Sequence, residues 1–188
     1  MTTQRASGFT LIEMMFTIAI GLILVGIGVP SYNNLIRSNR ITASVNEVIT
    51  GFQLARSEAA KRGVPVTLCP TNDLPSSGNN VNCQEAGWES GVVVFVDLNG
   101  NGSRDDVGDE VLYFKGELAQ DVFVRASAAL AVGLTYGGDG FPTRLIADSV
   151  LVFCDTQEDQ SRRRVVSVSA TGRPASGRQT PVQGDLEC

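Results

Sequence analysis

The residue types able to do chemistry in this chain fall into four groups, and one absence limits them. The 188 residues include no histidine, which removes Ser-His-Asp and Cys-His nucleophilic catalysis and any histidine-ligated zinc site. The four cysteines, Cys69, Cys83, Cys154 and Cys188, are even in number and contain no C-x-x-C pair. They read as two disulfides of an exported domain, since a four-cysteine metal site usually shows close pairs. Three pairings are open; the sequential one, Cys69 with Cys83 and Cys154 with Cys188, is the expectation. Asp97-Leu98-Asn99-Gly100-Asn101-Gly102 matches the opening of a calcium loop, with Asp97, Asn99 and Asn101 as candidate ligands and Asp105 and Asp106 as further oxygens. The position where an EF-hand wants a bidentate carboxylate is Gly108, with Asp109 one residue late. Two Asn-Gly pairs are also what β-turns favour. No other metal and no cofactor is expected.

The third group is basic. From Ser161 to Gly184 there are five arginines, Arg162, Arg163, Arg164, Arg173 and Arg178, and no acid, whereas Asp97 to Asp121 holds seven acids against Arg104 and Lys115. Guanidinium geometry suits phosphate, so the five are candidate DNA contacts. The alternative is a solvated edge or an electrostatic contact with an acidic neighbour. The formal net charge of −5 argues against binding nucleic acid over the whole surface. The fourth group is a single residue: Glu13 is the one formal charge between Phe9 and Val29. A carboxylate in an otherwise apolar span costs about 2.5–3.5 kcal/mol at the bilayer centre and less near an end, and it asks for a function.

The elements that position these groups follow from periodicity and breakers. Phe9 to Val29 is 21 residues long, enough to cross a bilayer as a helix. Arg5 before it places the N-terminus on the cytoplasmic side and the body outside. A cleaved secretory signal is the alternative, but the run is long for one and Glu13 sits at its start. Pro30 ends the apolar run and predicts a kink, with Gly26 and Gly28 lowering helix propensity just before it. Beyond it, Ile41, Val45, Val48, Phe52, Ala55 and Ala59 recur every three or four residues, the apolar face of an amphipathic helix. Lys61, Arg62, Gly63 and Pro65 mark its end. After Gly63 the strand candidates are 64–69, 91–96, 110–114, 121–125, 134–136, 149–153 and 165–169, separated by Gly/Asn/Asp/Pro clusters. One helix followed by a run of strands gives an α+β class, an antiparallel sheet packed on the helix's apolar face. Trp88 reads as a core anchor.

Gly8-Phe9-Thr10-Leu11-Ile12-Glu13 resembles the class III signal of type IV pilins and type II secretion pseudopilins. Ala55-Arg56-Ser57-Glu58-Ala59, Val66-Thr67-Leu68-Cys69, Gly87-Trp88, Val94-Phe95-Val96-Asp97 and Gly172-Arg173 resemble the GspH/FimT group of these proteins. The resemblance implies a leader at 1–8, cut between Gly8 and Phe9 by a prepilin peptidase that methylates the new amine. A transmembrane and assembly segment at 9–29, an amphipathic half-helix at 30–63 and a periplasmic β-rich domain at 64–188 would follow. It implies an assembly role for Glu13 and for Pro30, near which the helix leaves the membrane. The implied partners are other pilin or pseudopilin subunits, the peptidase and an inner-membrane assembly platform. The implied function is that of a minor pilin or pseudopilin that helps start or cap a filament, without enzymatic activity. The alternative is DNA capture through the Arg-rich tail, although Gly172-Arg173 is followed here by Pro174 and Ala175 where DNA-binding members carry Gly-Arg-x-Arg.

Overall fold

The computed structural model describes residues 8–72, 83, 87–104, 108–144, 149–157, 159–178, 186 and 188. Residues 1–7 of the expected leader, and Asp105 and Asp106 of the candidate calcium loop, lie outside these. The chain divides into two compact units, Met1–Arg37 and Ser38–Cys188. One helix, α1 (Leu11–Arg62), forms the first unit and opens the second.

In the first unit, Ile and Leu are the commonest residues of the helix, and Leu and Met favour it. Apolar side chains from Phe9 to Leu35 stand exposed, and the helix is long and apolar enough to cross a membrane. Pro30 lies inside it and has no N–H to give the carbonyl of Gly26, four residues earlier.

In the second unit, α1 buries Ile41, Ser44, Val45, Val48, Gly51, Phe52, Ala55 and Ala59. That is the stripe expected from the three-and-four spacing, joined by two small residues. Gly51 is small for a reason: a Cβ there would lie 2.9 Å from Leu68 Cδ1. The helix stops where Gly63 adopts φ 69° and its N–H bonds the Ala59 carbonyl at 2.9 Å.

Among the described residues eight strands follow: β1 (Val66–Pro70), β2 (Val92–Val96), β3 (Val111–Lys115), β4 (Val122–Ala126), β5 (Leu134–Tyr136), β6 (Ser149–Asp155), β7 (Arg164–Val168) and β8 (Pro174–Gly177). The first seven fall within two residues of the expected bounds. β8 was not expected, because Pro-Ala-Ser-Gly has no β-branched or aromatic residue. The strands make two four-stranded sheets, β3-β2-β1-β5 and β4-β6-β7-β8, with every pairing antiparallel. This division into two sheets is not visible in the strand pattern.

Both sheets turn one face to the helix. Val66 and Leu68, Val92 and Val94, Val122 and Val124, Leu151 and Phe153, and Val166 and Val168 share one core with Phe52 and Trp88. The opposite faces are also covered. Cys69, Val93 and Phe95 cluster with Cys83, Val111 and Phe114; Val150, Val152, Cys154 and Val165 cluster with Phe123, Leu186 and Cys188. Burial on both faces explains why Val-Val-Val-Phe-Val and Val-Leu-Val-Phe-Cys read as continuous apolar runs and not as alternations. Each outer cluster holds one disulfide, Cys69–Cys83 or Cys154–Cys188, with Cα atoms 5.3 Å and 5.6 Å apart.

Candidate functional site

The N-terminal site is built on a helix start. Thr10 precedes the first helical residue, its Oγ1 accepts from the Glu13 N–H at 3.3 Å, and its carbonyl accepts from the Met14 N–H at 3.2 Å. Thr10-x-x-Glu13 is the spacing of a capping box, with Phe9 and Met14 at the two positions of a hydrophobic staple. Thr10 is thus a positioning residue that the sequence reading left out, although the Thr-x-x-Glu spacing carries it. The cap fixes where α1 begins, so Gly8 and Phe9 sit just outside it. Glu13 lies in the first turn, at the positive end of the helix dipole, where a carboxylate is favoured. Its side chain is exposed, among exposed apolar neighbours, and among the described residues it makes no ion pair.

The Asp97 loop is held from within. Asp97 is fully buried, and its Oδ2 accepts from Thr67 Oγ1 at 2.6 Å and from the Gly102 N–H at 2.9 Å. Its Oδ1 accepts from the Asn101 N–H at 3.1 Å. Asn99 Oδ1 turns to the Asn101 N–H at 3.0 Å, and Asn101 Oδ1 to the Ser103 N–H at 2.7 Å. The three candidate ligands therefore spend these oxygens on the loop's own backbone and on β1. Gly100 and Gly102 take φ 70° and 79°, the left-handed values that Asn-Gly turns supply. Among the described residues no group of three His, Cys, Asp or Glu gathers. Asp97→Ala leaves Thr67 Oγ1 and two backbone N–H groups without this acceptor. It is expected to lower stability by about 3–4 kcal/mol, seen as a fall of about 10 °C in thermal unfolding of the purified protein by circular dichroism. Asp97→Asn keeps one oxygen and is expected to recover part of the loss.

The five arginines divide along the β7–β8 hairpin: Arg164, next to Arg162 and Arg163, stands across the ladder from Arg178, one step beyond the Val165–Gly177 pair, while Arg173 lies at the turn end. Arg162 is committed to structure: its Nε and Nη1 bond Asp155 Oδ2 and Asp159 Oδ2, each at 2.8 Å, and Asp155 is buried. The Asp159 carboxyl is held below the usual range, first by its hydrogen bonds with Ser161. Arg164 Nη1 bonds the Arg163 carbonyl at 3.2 Å. Arg173 and Arg178 are exposed at opposite ends of β8, about 15 Å of strand apart. Several acids of the 97–121 stretch are likewise used inside the domain: Glu110 pairs with Arg62 at 2.7 Å and Asp121 with Arg40 at 2.8 Å. The Arg62 bond also holds the Glu58 carboxyl below the usual carboxylate range.

The short strings that mark the sequence are where the fold is tied together. Trp88 stacks on Phe52 with ring centres 5.8 Å apart, and its Nε1 donates to the Leu130 carbonyl at 3.0 Å. Thr67 and Asp97 form the buried bond already described. Arg56 Nε donates to the Gly140 carbonyl at 3.1 Å. Gly172 has φ 75°, and a Cβ there would lie 2.5 Å from the Tyr136 ring, whose hydroxyl donates to the Gly172 carbonyl at 2.8 Å. Burial pushes the Tyr136 hydroxyl well above its ordinary pKa, so it stays a donor. Gly172-Arg173 is therefore first a contact that joins the β7–β8 turn to β5. Tyr136 and Gly140 are partners that the sequence reading did not single out.

A long apolar N-terminal helix that continues onto antiparallel sheets is the architecture of type IV pilins. Two crystal structures of the type IV minor pilin FimU from Pseudomonas aeruginosa (strain PAO1) share it. The form in space group P21 gives a TM-score of 0.58 at 18% identity, covering 81% of this chain and 98% of that one. The P65 form gives 0.54 at 16% identity, covering 77% and 98%. Residues 44–172 match the family model of Type II transport protein GspH, and residues 3–29 match that of the prokaryotic N-terminal methylation motif. The chain belongs to the GspH family and is a minor pilin or pseudopilin. No curated protein matches it significantly. The family and fold are those of structural subunits, and nothing in these comparisons supports DNA binding.

Proposed function

We propose that this protein is made as an inner-membrane precursor, cut between Gly8 and Phe9 by prepilin peptidase and methylated on Phe9. It then enters a type IV pilus or secretion pseudopilus as a subunit that helps start or cap the filament. Its β-rich domain would lie in the periplasm until the assembly platform lifts the helix out of the membrane. The observation that carries the reading is the pairing of a membrane-length apolar helix with a Thr10-capped start two residues after the Gly8–Phe9 bond. An isolated carboxylate in lipid is unfavourable, while one beside a neighbour's N-terminal ammonium is compensated. Glu13 would thus set the register between adjacent helices, and Pro30, which has no N–H to donate to the Gly26 carbonyl, would be a point where the helix can loosen. Processing is directly testable. Mass spectrometry of the protein from the membrane should show a chain beginning at N-methylated Phe9, and a Gly8 substitution by a larger residue should leave residues 1–8 attached. A native chain that keeps Met1 or begins elsewhere would overturn the reading.

A further inference from the structure

Gln53, Arg56, Ser57 and Ala60 form one stripe of α1, at the i, i+3, i+4, i+7 positions of a single helix face. With Arg173 of the β7–β8 turn and Pro174, the first residue of β8, they line an open groove of about 440 Å³, within the size range of ligand clefts. Its two charged residues are both guanidinium groups, one on each wall. Arg56 is half-buried and tethered through Nε to the Gly140 carbonyl, so its head is held in place and its two terminal nitrogens remain as donors. Arg173 is exposed, and its backbone N–H, not its side chain, bonds Ser169 Oγ at 3.1 Å. Among the described residues neither guanidinium pairs with a carboxylate. Arg40, Arg62, Lys115 and Arg162 all do.

We infer that this groove is a docking site for an acidic loop of a neighbouring pilin subunit, an inference that rests on the assembly reading above. Arginine binds carboxylate through paired N–H···O bonds, and a fixed guanidinium loses less entropy in doing so. Gln53 and Ser57 add neutral hydrogen-bonding groups, while Ala60 and Pro174 leave room for chain. A polyanion would have to approach a molecule with a net charge of −5, whereas a loop with one or two carboxylates meets only the local field. The site would give orientation to a contact that the apolar helix alone leaves free to rotate.

The test uses the full-length protein in its own cell envelope, with Ser57→p-benzoylphenylalanine as a photocrosslinker in the groove and Ile20→p-benzoylphenylalanine as an independent reporter of helix assembly. The expected result is a Ser57 adduct with another pilin-fold chain, joined next to an Asp or Glu. Arg173→Glu should lower its yield about tenfold and leave the Ile20 adduct unchanged. The substitution removes neither partner of the Arg56–Gly140 bond, to which the Arg173 side chain does not contribute. A Ser57 adduct that is absent, insensitive to Arg173→Glu, joined to a segment without acids or joined to nucleic acid, while the Ile20 adduct forms, overturns the inference and leaves the assembly reading standing. Loss of the Ile20 adduct in otherwise unaltered protein overturns both.

Discussion

Glu13→Ala is expected to yield a protein that enters the membrane, loses residues 1–8 and stays out of filaments, with its share in the sheared filament fraction down at least about tenfold. Two effects act in the same direction. A carboxylate in or near the hydrocarbon region raises the energy of the membrane-inserted state, so alanine makes that state more stable. A neighbour's ammonium can repay the carboxylate only in the assembly, so alanine also removes attraction there. The helix start should survive, because Thr10 Oγ1 bonds the backbone N–H at position 13 and not the side chain. Loss of a first-turn acid alone costs about 0.3–1 kcal/mol, too little to expel an apolar helix of this length. Glu13→Gln keeps hydrogen-bonding capacity without charge and should fall between. Immunoblots of membrane and sheared fractions, with N-terminal sequencing to confirm cleavage, would decide. Normal incorporation of the alanine variant would remove the proposed role of Glu13.

Removing the disulfides is expected to have the largest effect on stability. Cys69–Cys83 links residues 14 apart and Cys154–Cys188 links residues 34 apart. Loop-closure entropy puts these at about 3 and about 4 kcal/mol, against a typical domain stability of about 5–15 kcal/mol. Packing adds to this. Each bond sits in an outer-face cluster, and the second keeps Leu186 against Val150, Val152 and Val165. The double variant Cys154→Ser/Cys188→Ser should unfold at lower denaturant than Cys69→Ser/Cys83→Ser, and reduction of all four cysteines should leave little folded protein. Urea titrations of the oxidised and reduced protein, followed by Trp88 fluorescence, measure this. Midpoints unchanged by reduction would show that the outer clusters hold without covalent help.

Much of this architecture was legible in the residues. The spacing of Ile41, Val45, Val48, Phe52, Ala55 and Ala59 named the buried helix face because one period, set by local geometry, governs it. Apolar counting could not include Ser44, buried with its hydroxyl on the Arg40 carbonyl, or Gly51, where Leu68 of β1 comes too close for a larger side chain. Strand positions were legible for the same local reason, but the two-sheet division depends on pairing between distant segments, such as Val122 with Asp155. The candidate sites were legible in type and less so in state. Asp97 looked like a ligand because its neighbours carry oxygens; its burial and its bond to Thr67, 30 residues away, come only with the fold. The arginines looked like one group because they are close in sequence. An ion pair to Asp155 takes Arg162 out of that group, and Arg173 meets Arg56 only because the β7–β8 turn comes to lie along the helix.

The Cys154–Cys188 bond also shapes how the domain would bear load. β7 and β8 both lie within the segment that it closes. Tension applied at or beyond Cys188 would pass through the sulfurs straight into β6, which pairs with both β4 and β7. The hairpin that carries Arg173 and packs Gly172 on Tyr136 is thus a mechanically shielded side loop. It could not be peeled from its end while the bond is intact, and the contacts made at that turn would keep their shape under a pull along the chain.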